Sequence, residues 1–134
     1  MGDLSPHFST SEMQCKCGCG KCLLDPALIP ALEALHALGP EAIFVDDGYR
    51  CEAHNAAVGG VPHSEHPKGE AADVRIGSLS LQEQYDRAKQ VPAFANGGIG
   101  VYSENFLHVD VRAGKARWAR KNGVYIGLGA LVTP

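Results

Sequence analysis

No apolar run in the sequence approaches the roughly 20 residues that a helix needs to cross a bilayer, so no membrane span is expected. There is no surplus of basic charge either. Twelve Lys and Arg stand against 15 Asp and Glu, for a net charge of -3, which provides no electrostatic footprint for DNA or RNA. The first ten residues have neither the basic start nor the apolar stretch of a secretory signal, so the chain is expected to be cytoplasmic as synthesised. Repeats and linkers are also missing. A length of 134 residues suits one domain and is enough to bury a core without staples. A single domain over residues 1–134 is expected, acting as a monomer.

Cysteine is present in an odd number. Of five, Cys15, Cys17, Cys19 and Cys22 fall within eight residues and Cys51 stands apart. A structural zinc usually draws on two separated knuckles, so four thiolates from one short window are geometrically cramped. Three readings stay open: a second, structural metal held by three or four of Cys15, Cys17, Cys19 and Cys22, a disulfide that includes Cys51, or free thiols. A redox centre is disfavoured, because no Cys-x-x-Cys opens a helix after a buried strand.

Along the chain, Ser9 to Glu12 has the spacing of a capping box, which places Phe8 and Met13 as core anchors. Asp25-Pro26 reads as an N-cap followed by proline at the first helical position. Leu28, Leu32, Leu35 and Leu38 then repeat at helical spacing until Gly39-Pro40, so a helix is predicted over about 26–38. His36 lies off that stripe and reads as a surface residue. Residues 42–46 form a strand that delivers Tyr49, Arg50 and Cys51 at its end, and a brief helix follows over 52–58. Residues 71–76 are the next strand, and Ser80 to Glu83 is a second capping box opening a helix that ends near Pro92. Residues 99–102 and 106–112 read as a hairpin, Arg117-Trp118 is expected to pack it from behind, and 123–128 suggests an edge strand. The sum is an α+β fold, a mainly antiparallel sheet flanked by helices.

Chemistry concentrates in two stretches, 64–73 and 107–112. Alternate side chains of a strand share a face, so Asp73, His108 and Asp110 can be presented together. His66 precedes Asp73 by seven residues, and Gly69 between them permits the chain to turn back. Two imidazoles and a carboxylate with one position open fit a water-activating Zn²⁺ better than a closed structural site. The plain alternative is a surface hydrogen-bond network, since His-x(6)-Asp is not a specific pattern.

Ser64, His66, Gly69, Ala71 and Asp73 together resemble, position by position, the Ser-x-His-x-x-Gly-x-Ala-x-Asp motif of the zinc D-Ala-D-Ala carboxypeptidase and dipeptidase family. That family shares a superfamily with lysostaphin-type peptidases and the hedgehog domain. The likeness continues through Gly48-Tyr49-Arg50, His54-Asn55, Gly59-Gly60, residues 98–102 and residues 106–112. It covers about residues 8–118, is specific because separated motifs agree in order, and is nearest to the compact phage and bacterial members. The resemblance implies His66, Asp73 and His108 as zinc ligands, Arg50 as the group that stabilises a polarised carbonyl, and Ser64 as the binder of a substrate carboxylate. It also implies peptidoglycan stem peptide as substrate, cut by a carboxypeptidase or endopeptidase such as a phage lysis or tail protein. For Arg50 the plain alternative is an ion pair with Asp46 or Asp47.

One position departs from the pattern. Well-known members carry a glutamate or histidine three residues before the last zinc histidine, where this chain has Asn105, which takes no proton from water. The general base is therefore expected to be Asp110, on the strand face of His108, or else Glu104 in the hairpin turn. A further alternative has Asp110 only orienting a ligand. His63 is expected either to line the pocket or to face solvent. His54 reads as a local packing or capping residue, His7 as part of a loose terminus, and Glu65 and Glu70 as turned to solvent.

Overall fold

The computed structural model describes residues 2–59 and 64–134. Six short segments of the described residues make the strands: β1 (Ile43–Asp47), β2 (Ala71–Ile76), β3 (Gly98–Tyr102), β4 (Phe106–Asp110), β5 (Ala116–Lys121) and β6 (Val124–Ile126). They form one sheet in the order β1-β2-β4-β3-β5-β6. All neighbours are antiparallel except β3 and β5, which run parallel. Five α-helices accompany them: α1 (Thr10–Met13), α2 (Leu28–His36), α3 (Glu52–Ala57), α4 (Leu81–Ala88) and α5 (Pro92–Ala95). The fold is α+β, as the sequence predicts.

The period of two divides the sheet's labour. Ala72, Val74 and Ile76 of β2, Ile99 and Val101 of β3, and Leu107 and Val109 of β4 are buried in one cluster with Leu28, Leu32 and Leu35 of α2, Tyr85 and Ala88 of α4, Phe94 of α5, and Phe8 and Met13. Burying each large aliphatic side chain contributes about 1.5–3 kcal/mol, so this face is committed to stability. The intervening residues, Asp73, Gly98, Gly100, His108 and Asp110, point to the other face. That face carries the chemistry.

Both capping boxes form. The Ser9 amide donates to Glu12 Oε1 at 2.9 Å, and Ser80 and Glu83 exchange bonds of 3.2 Å. Helix α2 is shorter than the predicted 26–38. Asp25 Oδ1 accepts from the Ala27 amide at 2.8 Å, closing a side-chain turn, and the helix begins only after it. The terminus around His7 is not loose, since its imidazole pairs with Glu33 at 2.8 Å and stacks on His36. Two elements were not expected. Helix α5 is a single turn, and β5 is a basic stretch with little apolar alternation. β5 joins through the free edge of β3, a non-local pairing that pattern alone does not reveal.

Candidate metal centre

The register of β2 and β4 sets Asp73 directly opposite His108, so both side chains project from one face. His66 arrives from the turn before β2. That turn closes through Gly69, whose φ of 73° and contact with the Leu23 carbonyl leave no room for a side chain. The result is convergence: Asp73 Oδ1 lies 3.3 Å from both His66 Nε2 and His108 Nδ1. The three ligand atoms all lie within 4.8 Å of one another.

The second nitrogen of each imidazole is already committed. His66 Nδ1 is 2.7 Å from the Gly48 carbonyl, which can only accept, so Nδ1 carries the hydrogen and Nε2 faces the group. His108 Nε2 is 2.6 Å from Asp110 Oδ2, and its Nδ1 is left for the group. A backing acceptor of this kind fixes tautomer and ring orientation in metal sites. The donor set therefore fits a divalent cation such as zinc, with two neutral nitrogens and one carboxylate oxygen.

Charge in the site follows the same plan. Burial pushes the Asp73 carboxyl upward, but His66 and His108 outweigh it and hold it well below the usual carboxylate range. Asp110 behaves likewise under hydrogen bonds from His108 and Arg112. Burial lowers His108, yet its bonds to Asp110 and Asp73 prevail and raise it. A proton on His108 and a metal ion thus compete for the same space between carboxylates.

Asp110, the expected base, is fully buried. Its Oδ1 accepts from the amides of Gly98 and Arg112 and from Arg112 Nε, and its Oδ2 serves His108 and Arg112 Nη2. This is the setting of a carboxylate that backs the His108 ring. Two glycines make this possible: a Cβ at Gly98 would overlap the Asp110 carboxylate, and one at Gly100 would overlap the Trp118 indole. With Asp110 as an orienting group, Asp110→Asn is expected to weaken zinc affinity about 10–100-fold while turnover at saturating zinc changes little. Zinc titration beside kinetics separates this from a base role, in which turnover falls and affinity holds.

Arg50 and Ser64 reach the same cleft, a hollow of about 420 Å³ also lined by Glu65, Tyr102, Arg112 and Trp118. Arg50 is nearly buried and rigidly held. Its Nε and Nη2 fork onto Asp47 Oδ2 at 3.0 and 2.6 Å, its Nη1 donates to Asn55 at 2.7 Å, and Nη2 stands 3.8 Å from Asp73 Oδ2. A bulge in β1 between Val45 and Asp47 aligns Asp47 with Asp73 and so builds this anchor. Asp46, the other candidate partner, pairs with Arg75. Ser64 Oγ accepts from the His66 amide at 3.2 Å.

Other expected residues fall elsewhere. Glu104 is exposed in the β3–β4 turn, bonded to Ser103 and absent from the residues that line the cleft. Asn105 lies in the β3–β4 turn with a φ of 69° and accepts from Gln84 of α4 at 3.2 Å. His63 lies outside the described residues. Glu65 does not face solvent: it is 7% exposed and lines the cleft, and its Oε2 has no hydrogen-bond partner among the described residues. Trp118 sits on the front of the sheet, 4.9 Å from the His108 ring, rather than behind it. The Gly-x-Gly of β3 was the available signal, because two gaps on one face invite large neighbours across them.

The cysteines regroup. Cys15, Cys17, Cys19 and Cys51 bring their sulfurs within 4.8 Å of one another, whereas Cys22 packs against the core. None of the five is in a disulfide. The expected set of Cys15, Cys17, Cys19 and Cys22 is thus corrected in one member, because Cys22 lies beyond the loop's return.

Among the described residues, no helix is long and apolar enough to cross a membrane. Residues 6–110 match the family model described as Peptidase M15. No curated protein matches the chain.

Proposed function

This chain belongs to the Peptidase M15 family, and from that membership and the geometry of its cleft we propose that it is a zinc metallopeptidase hydrolysing a peptide bond beside a D-amino acid in peptidoglycan stem peptides. The observation that carries the reading is the aim of three ligand atoms, His66 Nε2, His108 Nδ1 and Asp73 Oδ1, at one point beside a fixed guanidinium. Zinc bound there would polarise a carbonyl and lower the pKa of water toward neutrality. Arg50, locked by Asp47 and Asn55, would stabilise negative charge developing on the carbonyl oxygen, since preorganised donors cost no rearrangement during reaction. Ser64, on the cleft wall, would bind the substrate's terminal carboxylate. Glu65 is the lining carboxylate outside the metal group among the described residues, which makes it the proton acceptor of this reading.

The engagement of Asp110 and the outlying position of Glu104 favour one further reading: a zinc-stabilised module that binds cell-wall peptide without cutting it. Digestion of defined muropeptides, read by mass spectrometry, decides between them. The peptidase reading expects loss of a D-amino acid or cleavage beside one by zinc-loaded protein, with Glu65→Gln slowing it about 10²–10⁴-fold at unchanged zinc content. Intact stem peptides that nevertheless bind would establish the module instead. Whether the product is a free D-amino acid or a divided cross-link distinguishes carboxypeptidase from endopeptidase.

A further inference from the structure

A second centre stands apart from the cleft. The segment 15–21 folds into a closed loop: the Cys15 amide donates to the Lys21 carbonyl at 2.9 Å, and Gly18 and Gly20 take φ values of 87° and 76° that other residues rarely adopt. This brings the sulfurs of Cys15, Cys17 and Cys19 together. The fourth sulfur comes from 36 residues away in sequence, from Cys51, which caps α3 immediately after Arg50. Three plus one, from a loop and a helix start, is the separated arrangement that a single window could not supply.

The distances fit a tetrahedral ion. Zinc–thiolate bonds of about 2.3 Å place tetrahedral ligands roughly 3.8 Å apart. Here Cys15 to Cys17, Cys15 to Cys51 and Cys17 to Cys51 measure 3.3, 3.6 and 3.7 Å. Backbone amides point at the sulfurs: Cys51 N–H approaches Cys15 Sγ, and His54 N–H approaches Cys51 Sγ, each at 3.4 Å. Such donors are the outer support that metal thiolates use. Two basic residues, Lys16 and Lys21, lie in the same loop as the thiols. A disulfide would join only two of these sulfurs and leave the other pair without a reason to converge.

We propose that Cys15, Cys17, Cys19 and Cys51 hold a structural zinc ion that clamps the N-terminal loop to the turn carrying Arg50. All four ligand positions are filled by protein, so this site is closed to water and to substrate. Its contribution to the cleft is positional. Tyr49 N–H bonds to the Met13 carbonyl at 2.7 Å, and the clamp fixes the same pair of segments a second time at Cys51, on the other side of Arg50.

The test is metal content and cobalt absorption of the full chain, purified and loaded under reducing conditions. The unmutated protein is expected to hold one metal at each group and, with cobalt, to show intense thiolate-to-metal charge transfer. That absorption should persist in His66→Ala and in Cys22→Ser, and should vanish in Cys51→Ser with loss of one equivalent. Cys17→Ser, at an exposed position, gives the same readout should Cys51→Ser not fold. Thiol titration of the zinc form is expected to find Cys22 alone reactive, and all five cysteines after chelation and unfolding. The proposal is overturned by an unmutated protein whose only metal disappears with His66→Ala, by charge transfer that depends on Cys22, or by a disulfide between any two of the four in the metal-loaded protein. None of these readouts depends on hydrolysis, so an inactive protein with a cysteine-dependent metal would count against the peptidase reading alone.

Discussion

His66→Ala is expected to strip the cleft of its metal and to lower kcat/KM by at least about 10³-fold. The figure follows from charge stabilisation worth roughly 4 kcal/mol or more at the reacting oxygen, at about 1.4 kcal/mol per factor of ten. His66 supplies one of three ligands and occupies a fixed orientation through the Gly48 carbonyl. Removing it leaves Asp73 and His108 facing each other across 3.3 Å, an ion pair closed on itself rather than a site. The fold should survive, since the apolar cluster lies on the opposite face of the sheet. Metal analysis, circular dichroism and the muropeptide digest together check this result. A variant that keeps its activity without metal in the cleft would sink the reading of this group as a catalytic centre.

Arg50→Ala is expected to reduce kcat by about 10²–10³-fold, the usual loss on removing one donor aimed at a developing oxyanion, with zinc content unchanged. KM should move less, because the guanidinium acts mainly where charge develops. Arg50→Lys is expected to recover little: an ammonium does not reproduce the fork onto Asp47 Oδ2 together with the bond to Asn55. If Arg50 served only as a structural ion pair, the variant would instead lose thermal stability while turnover per folded molecule stayed near normal. Steady-state kinetics normalised to active, metal-loaded protein separates the two outcomes.

Much of this protein is legible in its sequence alone. Hydrophobic spacing and capping chemistry located α1, α2, α4 and the β3–β4 hairpin, because those signals are local and each residue's neighbours in sequence are its neighbours in space. Strand alternation put Asp73 and His108 on one face without knowledge of partners, whereas His66, on a turn, joined them as an expected ligand through the resemblance of its motif. The departures are all non-local. Asp110 shares the face of His108, which made it a reasonable base, but only the approach of Gly98 and Arg112 shows that both of its oxygens are taken. Glu65 alternates with motif residues and looked exposed until the turn at Gly69 carried it into the cleft. Trp118 needed the parallel pairing of β3 with β5 before its side could be known.

The cysteines show the same division most clearly. By itself the sequence determined that an uneven set of thiols crowds residues 15–22, that glycines space them, and that imidazoles and carboxylates concentrate in 64–73 and 107–112, since these are matters of spacing and side-chain chemistry. Which four sulfurs meet, which carboxylate stays available in the cleft, and how Arg50 is held were decided only by tertiary structure. Each depends on two segments far apart in the chain arriving at one point, and backbone sterics within either segment carry no information about the other.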